Sequence, residues 1–281
     1  MKMKKIPFVF LILSVYLSFV CSTEADGNPL VAEVYQVYYS GQGGSDGDST
    51  IFLDQPDQAA GDYWTAVGCD GTGNCARSLY HFNVDTMPKD AEITDAKFVL
   101  PLCKGVEAED PAVTLNIHQI TSPWTRTTNT TLNYDTPTET YLLSGETAVK
   151  GDTTWISSSY GSTDWNSPGG DIDSTVMTSS TFEGQARNWS PLFFHATDQL
   201  KKVVTGWIDG SIPNYGILVK RDIEDPTING VRFLCHETSG NPALRSPKLL
   251  ITYTSESKPE QFGALESGPS IRLPNEPTGA P

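Results

Sequence analysis

Carboxylates, histidines, cysteines and large aromatics are the side chains of this 281-residue chain that could do chemistry, and their spacing sorts them. A glycosidase needs only two carboxylates about 5–10 Å apart. With 34 acidic residues, pairs abound, and none has a special setting. A polysaccharide-degrading enzyme is therefore a secondary alternative. The histidines His81, His118, His195 and His236 have neither HExxH nor HxH spacing. His81 and His118 alternate with apolar positions and are expected on outward sheet faces. Gly43-Gly44-Ser45-Asp46-Gly47 spells a nucleophile elbow, but that motif needs a helix after it. Asp48-Ser49-Thr50-Ile51 reads instead as a strand, so a turn is expected.

Calcium fits the acidic turns better. Asp171 and Asp173 follow a Gly pair, and Asp46 and Asp48 flank Gly47, which places hard oxygen ligands on sharp bends. Neither run matches an EF-hand loop. A structural calcium is expected at Asp171 and Asp173 first, the alternative being two solvated turn carboxylates. No other cofactor is implied.

Sugar binding needs a flat ring to lie on the apolar face of a pyranose, with polar groups beside it. Six tryptophans are present. Trp207 falls on the apolar stripe of a helix and is expected in the core. Trp64, in Tyr63-Trp64-Thr65-Ala66-Val67, shares a strand with one aromatic on each face, so one of the two is a candidate. Trp155, Tyr160 and Trp165 lie in polar loop sequence, where a large aromatic is either a loop anchor or a ligand platform.

The elements that must hold these residues begin with an export signal. Three lysines in Met1 to Lys5 precede the apolar run Ile6 to Val20, and cleavage is expected after Ser22. Removing that segment leaves 16 basic residues against 34 acidic ones, a formal charge of about −18. Such a surface repels nucleic acid and anionic membranes. Four cysteines remain, an even count that reads as disulfides in an exported chain. Cys69 and Cys75 enclose a Gly-rich loop, so Cys69–Cys75 is favoured and Cys103–Cys235 follows. The spacings fit no zinc pattern. Asn129 and Asn188 head glycosylation sequons, usable in a eukaryotic host.

Within residues 23–255 the pattern is that of strands plus one helix. Tyr80, Phe82 and Val84 alternate with polar neighbours, as do Phe98, Leu100 and Leu102, and Val113, Leu115 and Ile117. Further strands are expected near 33–39, 50–53, 63–67, 139–143, 175–178, 215–220, 231–235 and 247–253. Leu200, Val203, Val204, Trp207 and Ile208 recur at helix spacing, with Thr197 and Asp198 to open the helix and Asp209-Gly210 to end it. A helix this short needs an apolar surface beneath it. The fold expected is an all-β antiparallel sandwich of jelly-roll type with one short α-helix. Residues 256–281 lose apolar pattern and read as a disordered tail.

Several segments together resemble the DNRLRE domain, also known as carbohydrate-binding module family 96. They are Trp207-x-Asp209-Gly210 at the helix end, then Pro213-Asn214-Tyr215-Gly216 before an aliphatic run. Phe82-Asn83, Ile93-Thr94-Asp95-Ala96, His118-Gln119-Ile120-Thr121, Trp165-Asn166-Ser167-Pro168-Gly169-Gly170 and Ser246-Pro247-Lys248-Leu249-Leu250-Ile251-Thr252-Tyr253 follow the same order. The resemblance covers about Val34 to Tyr253. It departs before the helix, where His195-Ala196-Thr197 stands in place of Asp-Val-Thr. It implies a secreted, noncatalytic module that binds an extracellular or cell-wall polysaccharide, and the charge favours a neutral glycan. The competing class is a structural or adhesive extracellular protein that binds other proteins.

Overall fold

The computed structural model describes residues 29–35, 47–61, 64–104, 112–127, 144–182, 191–228, 230–235 and 247–255. The expected signal segment and tail, both sequons, His236, the strand expected at 139–143, and the side chains of Trp64, Cys103 and Cys235 lie outside the described residues. Among the described residues, fifteen strands and one helix follow in order. The first seven strands are β1 (Leu30–Tyr35), β2 (Asp48–Phe52), β3 (Gln58–Ala60), β4 (Trp64–Cys69), β5 (Cys75–Tyr80), β6 (Glu92–Lys104) and β7 (Val113–Ile120). Then come β8 (Glu146–Thr147), β9 (Ser157–Ser159), β10 (Thr163–Asp164), β11 (Ile172–Phe182) and β12 (Pro191–Phe194). The helix α1 (Asp198–Asp209) precedes β13 (Ile217–Arg221), β14 (Arg232–Cys235) and β15 (Lys248–Thr254).

All ladders among these strands are antiparallel. One layer runs β1-β15-β6, with β12 on the far side of β6. The other runs β11-β7-β13-β5-β2, and β3 and β8 extend it. Strand β4 joins the layers. It pairs with β5 for only two positions, Gly68 with Ala76 and Cys69 with Cys75, and then crosses to β14, which pairs with β6. A disulfide closes the β4–β5 turn, with Cys69 and Cys75 bonded at 2.03 Å.

The alternation read from sequence sets the core. Phe82, Phe98, Leu100, Leu115, Ile117, Ile217, Val219, Leu249, Ile251 and Tyr253 are buried between the layers. The helix adds Leu200, Val203, Val204, Trp207 and Ile208, the stripe expected. It packs against β6 of one layer and β11 at the edge of the other, and so bridges them. Thr197 caps it: its Oγ1 accepts from the Leu200 N–H at 3.0 Å and donates to the Met177 carbonyl. Gly210 ends it in the left-handed region, at φ 82°. The departure at His195-Ala196-Thr197 thus leaves the helix start with a working cap.

The Pro213-Asn214-Tyr215-Gly216 run has a physical task. The Asn214 side chain donates to the Phe82 carbonyl at 2.8 Å and accepts from the Gly216 N–H at 3.1 Å. Gly216 sits at φ 84° against the Tyr80 carbonyl, where a Cβ would collide. The turn therefore delivers β13 into its slot between β5 and β7. After Gly47 the chain enters β2 directly, so the elbow-like string has no helix behind it.

Two measurements check this frame. Thr197→Ala is expected to cost about 1 kcal/mol, a fall in Tm of about 2–4 °C in a chain of this size. Cys103 and Cys235 lie on the paired strands β6 and β14, where Leu102 faces Leu234. Non-reducing peptide mapping is expected to recover Cys103 joined to Cys235, and free thiols at both would break that pairing.

Candidate ligand-binding surface

The strands β5, β13 and β7 carry apolar side chains on their outer face as well. Ile51, Leu79, Leu218 and Ile120 point away from the main core and form a second one with Trp155 and Trp165. The segment from 144 to 172 supplies those two rings and lies over this face. Its β9–β10 hairpin is short, and side chains do most of the fixing. Trp165 Nε1 donates to the Thr154 carbonyl at 2.9 Å, and the Gly169 N–H donates to the Trp155 carbonyl at 2.6 Å.

Arg77 ties the segment to the sheet. Its Nε and Nη2 donate to the two carboxylate oxygens of Glu224 at 2.8 and 2.7 Å, and Nη1 donates to the Gly169 carbonyl at 2.6 Å. Its guanidinium lies 4.5 Å from the Trp155 ring centre. Lys220 joins Glu224 at 2.8 Å. Burial alone would raise the Glu224 pKa, but Arg77 and Lys220 outweigh it and hold the carboxyl below its ordinary value.

Asp171 is the second tie. Its Oδ2 accepts from Ser122 Oγ at 2.8 Å and from the Asn166 main-chain and side-chain nitrogens at 3.1 and 2.8 Å. Its Oδ1 accepts from the Ser167 N–H at 2.9 Å. Four donors converge on one carboxylate, three of them on Oδ2. The Asp171 carboxylate thus binds the loop to itself and to the end of β7. Asp173, two residues on, accepts from the Thr175 N–H at 2.8 Å and offers its carbonyl to His118 Nδ1–H at 3.0 Å. No three His, Cys, Asp or Glu side chains among the described residues converge into a metal-holding group.

The aromatic candidates separate. Trp155 and Trp165 are 8% and 5% exposed, so they are loop anchors, and the platform role is corrected for both. Their rings found apolar sheet beneath them, and covering it is worth more than an open face in water. Truncating a buried Trp costs about 3–5 kcal/mol, so such variants report on folding rather than on binding. Tyr160 stays half-buried at the tip of the β9–β10 hairpin. Its N–H donates to the Asp152 carbonyl at 2.7 Å, and its carbonyl accepts from Gly151 at 2.9 Å. Ser162, Thr163 and Asp164 beside it are exposed. Trp64 lies on β4, with its side chain outside the described residues.

Two half-buried aromatics that were not among the ligand candidates, Trp124 and Tyr215, pack on the rim of the second core. Trp124 Nε1 donates to the Tyr215 carbonyl at 2.7 Å, and the Thr125 N–H donates to the Ser158 carbonyl at 3.0 Å. That bond sets residues 124–125 beside the Tyr160 hairpin. His118 faces outward from the main core as expected, but the overlying segment buries it. Burial first, then the cations of Lys220 and Arg77, hold its pKa below the ordinary imidazole value.

No known protein-family model matches the chain, and no curated protein matches it. No helix among the described residues is long and apolar enough to cross a membrane.

The Asp171 tie has a pH signature. Burial pushes its pKa up, and the bonds from Ser122, Asn166 and Ser167 outweigh burial and depress it. A depressed folded pKa adds stability above the unfolded value near pH 3.9, and that stability is lost as pH falls through the folded value. Asp171→Asn is expected to lose roughly 1–3 kcal/mol at pH 7. Its melting temperature should then fall less steeply than the wild type's below about pH 4.

Proposed function

We propose that this protein is an exported, noncatalytic carbohydrate-binding module that holds a neutral or weakly charged polysaccharide outside the cell. The observation that carries the reading is the fixed polar segment over the outer sheet face. It presents the half-buried Tyr160 among exposed hydroxyls of a hairpin that is anchored from beneath by Trp155 and Trp165. A ring on a fixed hairpin with hydroxyl neighbours is what a sugar needs, because little backbone freedom is lost on binding.

Three further features support it. The motif order from Phe82-Asn83 to Tyr253 resembles the DNRLRE domain. The Cys69–Cys75 disulfide accords with an oxidising compartment, as does the basic-then-apolar N-terminus. A whole-chain formal charge of −15 disfavours polyanionic ligands.

The test is a panel of β-glucan, xylan, galactomannan and α-glucan, with a polyuronate as acidic comparator, titrated across salt. Binding to at least one neutral member with little salt dependence is expected. Tyr160→Ala should weaken it about tenfold with melting unchanged. Tight, salt-sensitive binding to the polyuronate would overturn the neutral-glycan reading. Capture of a protein ligand with no glycan bound would favour the adhesive class, and release of sugar products would favour an enzyme.

A further inference from the structure

On the other side of the sandwich, β12 runs along β6 in unbroken register, from Pro191 opposite Pro101 to Phe194 opposite Phe98. Leu192 and Phe194 enter the main core, at 4% and 0% exposure. The pleat therefore forces Phe193 onto the outer face of that layer. It is 43% exposed. It cannot turn inward without a one-residue register slip, which would drive Leu192 and Phe194 out.

Phe193 has a partner. The His195 ring stacks beside it, with centroids 6.3 Å apart and planes 24° from parallel. His195 is exposed, and its backbone is fixed on both sides: Thr178 Oγ1 donates to its carbonyl at 2.8 Å, and Thr197 is bonded to Met177. Pro191, also exposed, begins the same row. The row spans about 13 Å at strand spacing. It offers an apolar ring face next to an imidazole that can donate and accept hydrogen bonds.

Charge excludes acidic occupants, and the ring chemistry points to a sugar among the rest. The row contains no carboxylate, while the chain carries 34 acidic residues against 19 basic ones. An acidic protein surface or an anionic membrane is repelled by the molecule as a whole. A neutral pyranose is not, and its C–H face and hydroxyls match the ring and the imidazole. We infer that Phe193 and His195 form a second binding site for a neutral glycan, on the opposite side of the sandwich from Tyr160, so that one molecule bridges two polysaccharide strands. This rests on the carbohydrate-binding reading and extends it from one site to two.

The experiment uses the full mature chain and the same four neutral polysaccharides. One strand type is immobilised, and a labelled soluble sample of the same type is captured through the protein. Wild type is expected to bridge. Phe193→Ala should still bind the surface but lose at least tenfold in captured strand, Phe193→Trp should retain bridging, and Tyr160→Ala with Phe193→Ala should lose surface binding. Equal melting temperatures show that the frame is intact. Full bridging by Phe193→Ala would overturn the second site and leave the Tyr160 reading standing. Wild type bound to none of the four would overturn both. Wild-type dimers on gel filtration that Phe193→Ala converts to monomers would assign the row to self-association and overturn the inference.

Discussion

Three central strands are apolar on both faces, and the architecture follows from covering them twice. In β13, Ile217 and Val219 enter the main core while Leu218 points the other way. Tyr80 and Leu79 divide likewise on β5, as do Ile117 and Ile120 on β7. A face of that kind left in water would cost about 25 cal/mol for each Å² of apolar surface. One face is covered by the second sheet and the helix. The other is covered by a segment with almost no regular structure, which has to bring its own large side chains. Trp155 and Trp165 are those side chains.

That arrangement explains why so many polar contacts cluster on one side. A loop laid on apolar sheet still has backbone N–H and C=O groups to satisfy. Asp171 gathers four donors from three residues, Arg77 reaches up from β5 to the Gly169 carbonyl, and Ser122 and Thr125 bind in from the β7 side. The result is a segment rich in Ser, Thr, Gly and Asp that is nevertheless fixed. Binding surfaces placed on such a segment lose little freedom when a ligand arrives.

The opposite layer works by a different rule. Its outer residues are set by the pleat of β12 and β6, so the position of Phe193 follows from where Leu192 and Phe194 must go. Strand β4, the Cys69–Cys75 turn and the helix hold the two layers in one frame. Each surface is thus fixed by a different part of the core.

Sequence alone determined the regular elements. The helix, its Thr197 cap, its Gly210 stop and its buried stripe were legible because cap chemistry and a 3.6-residue period are local properties. The alternating strands around Tyr80, Phe98 and Leu115 were legible for the same reason, with period two, but β5 stops at Tyr80, and Phe82 and Val84 keep their buried places beyond it without strand pairing. Short β3, β8, β9 and β10 left no readable period. Only the tertiary structure decided which aromatics face water. Trp155, Tyr160 and Trp165 sit in aperiodic sequence, so their exposure depends on the apolar sheet they meet, over 70 residues away in the chain at Leu79. Phe193 was hidden by the opposite problem: in Pro191-Leu192-Phe193-Phe194 every residue is apolar, and nothing but pairing with β6 tells inside from outside.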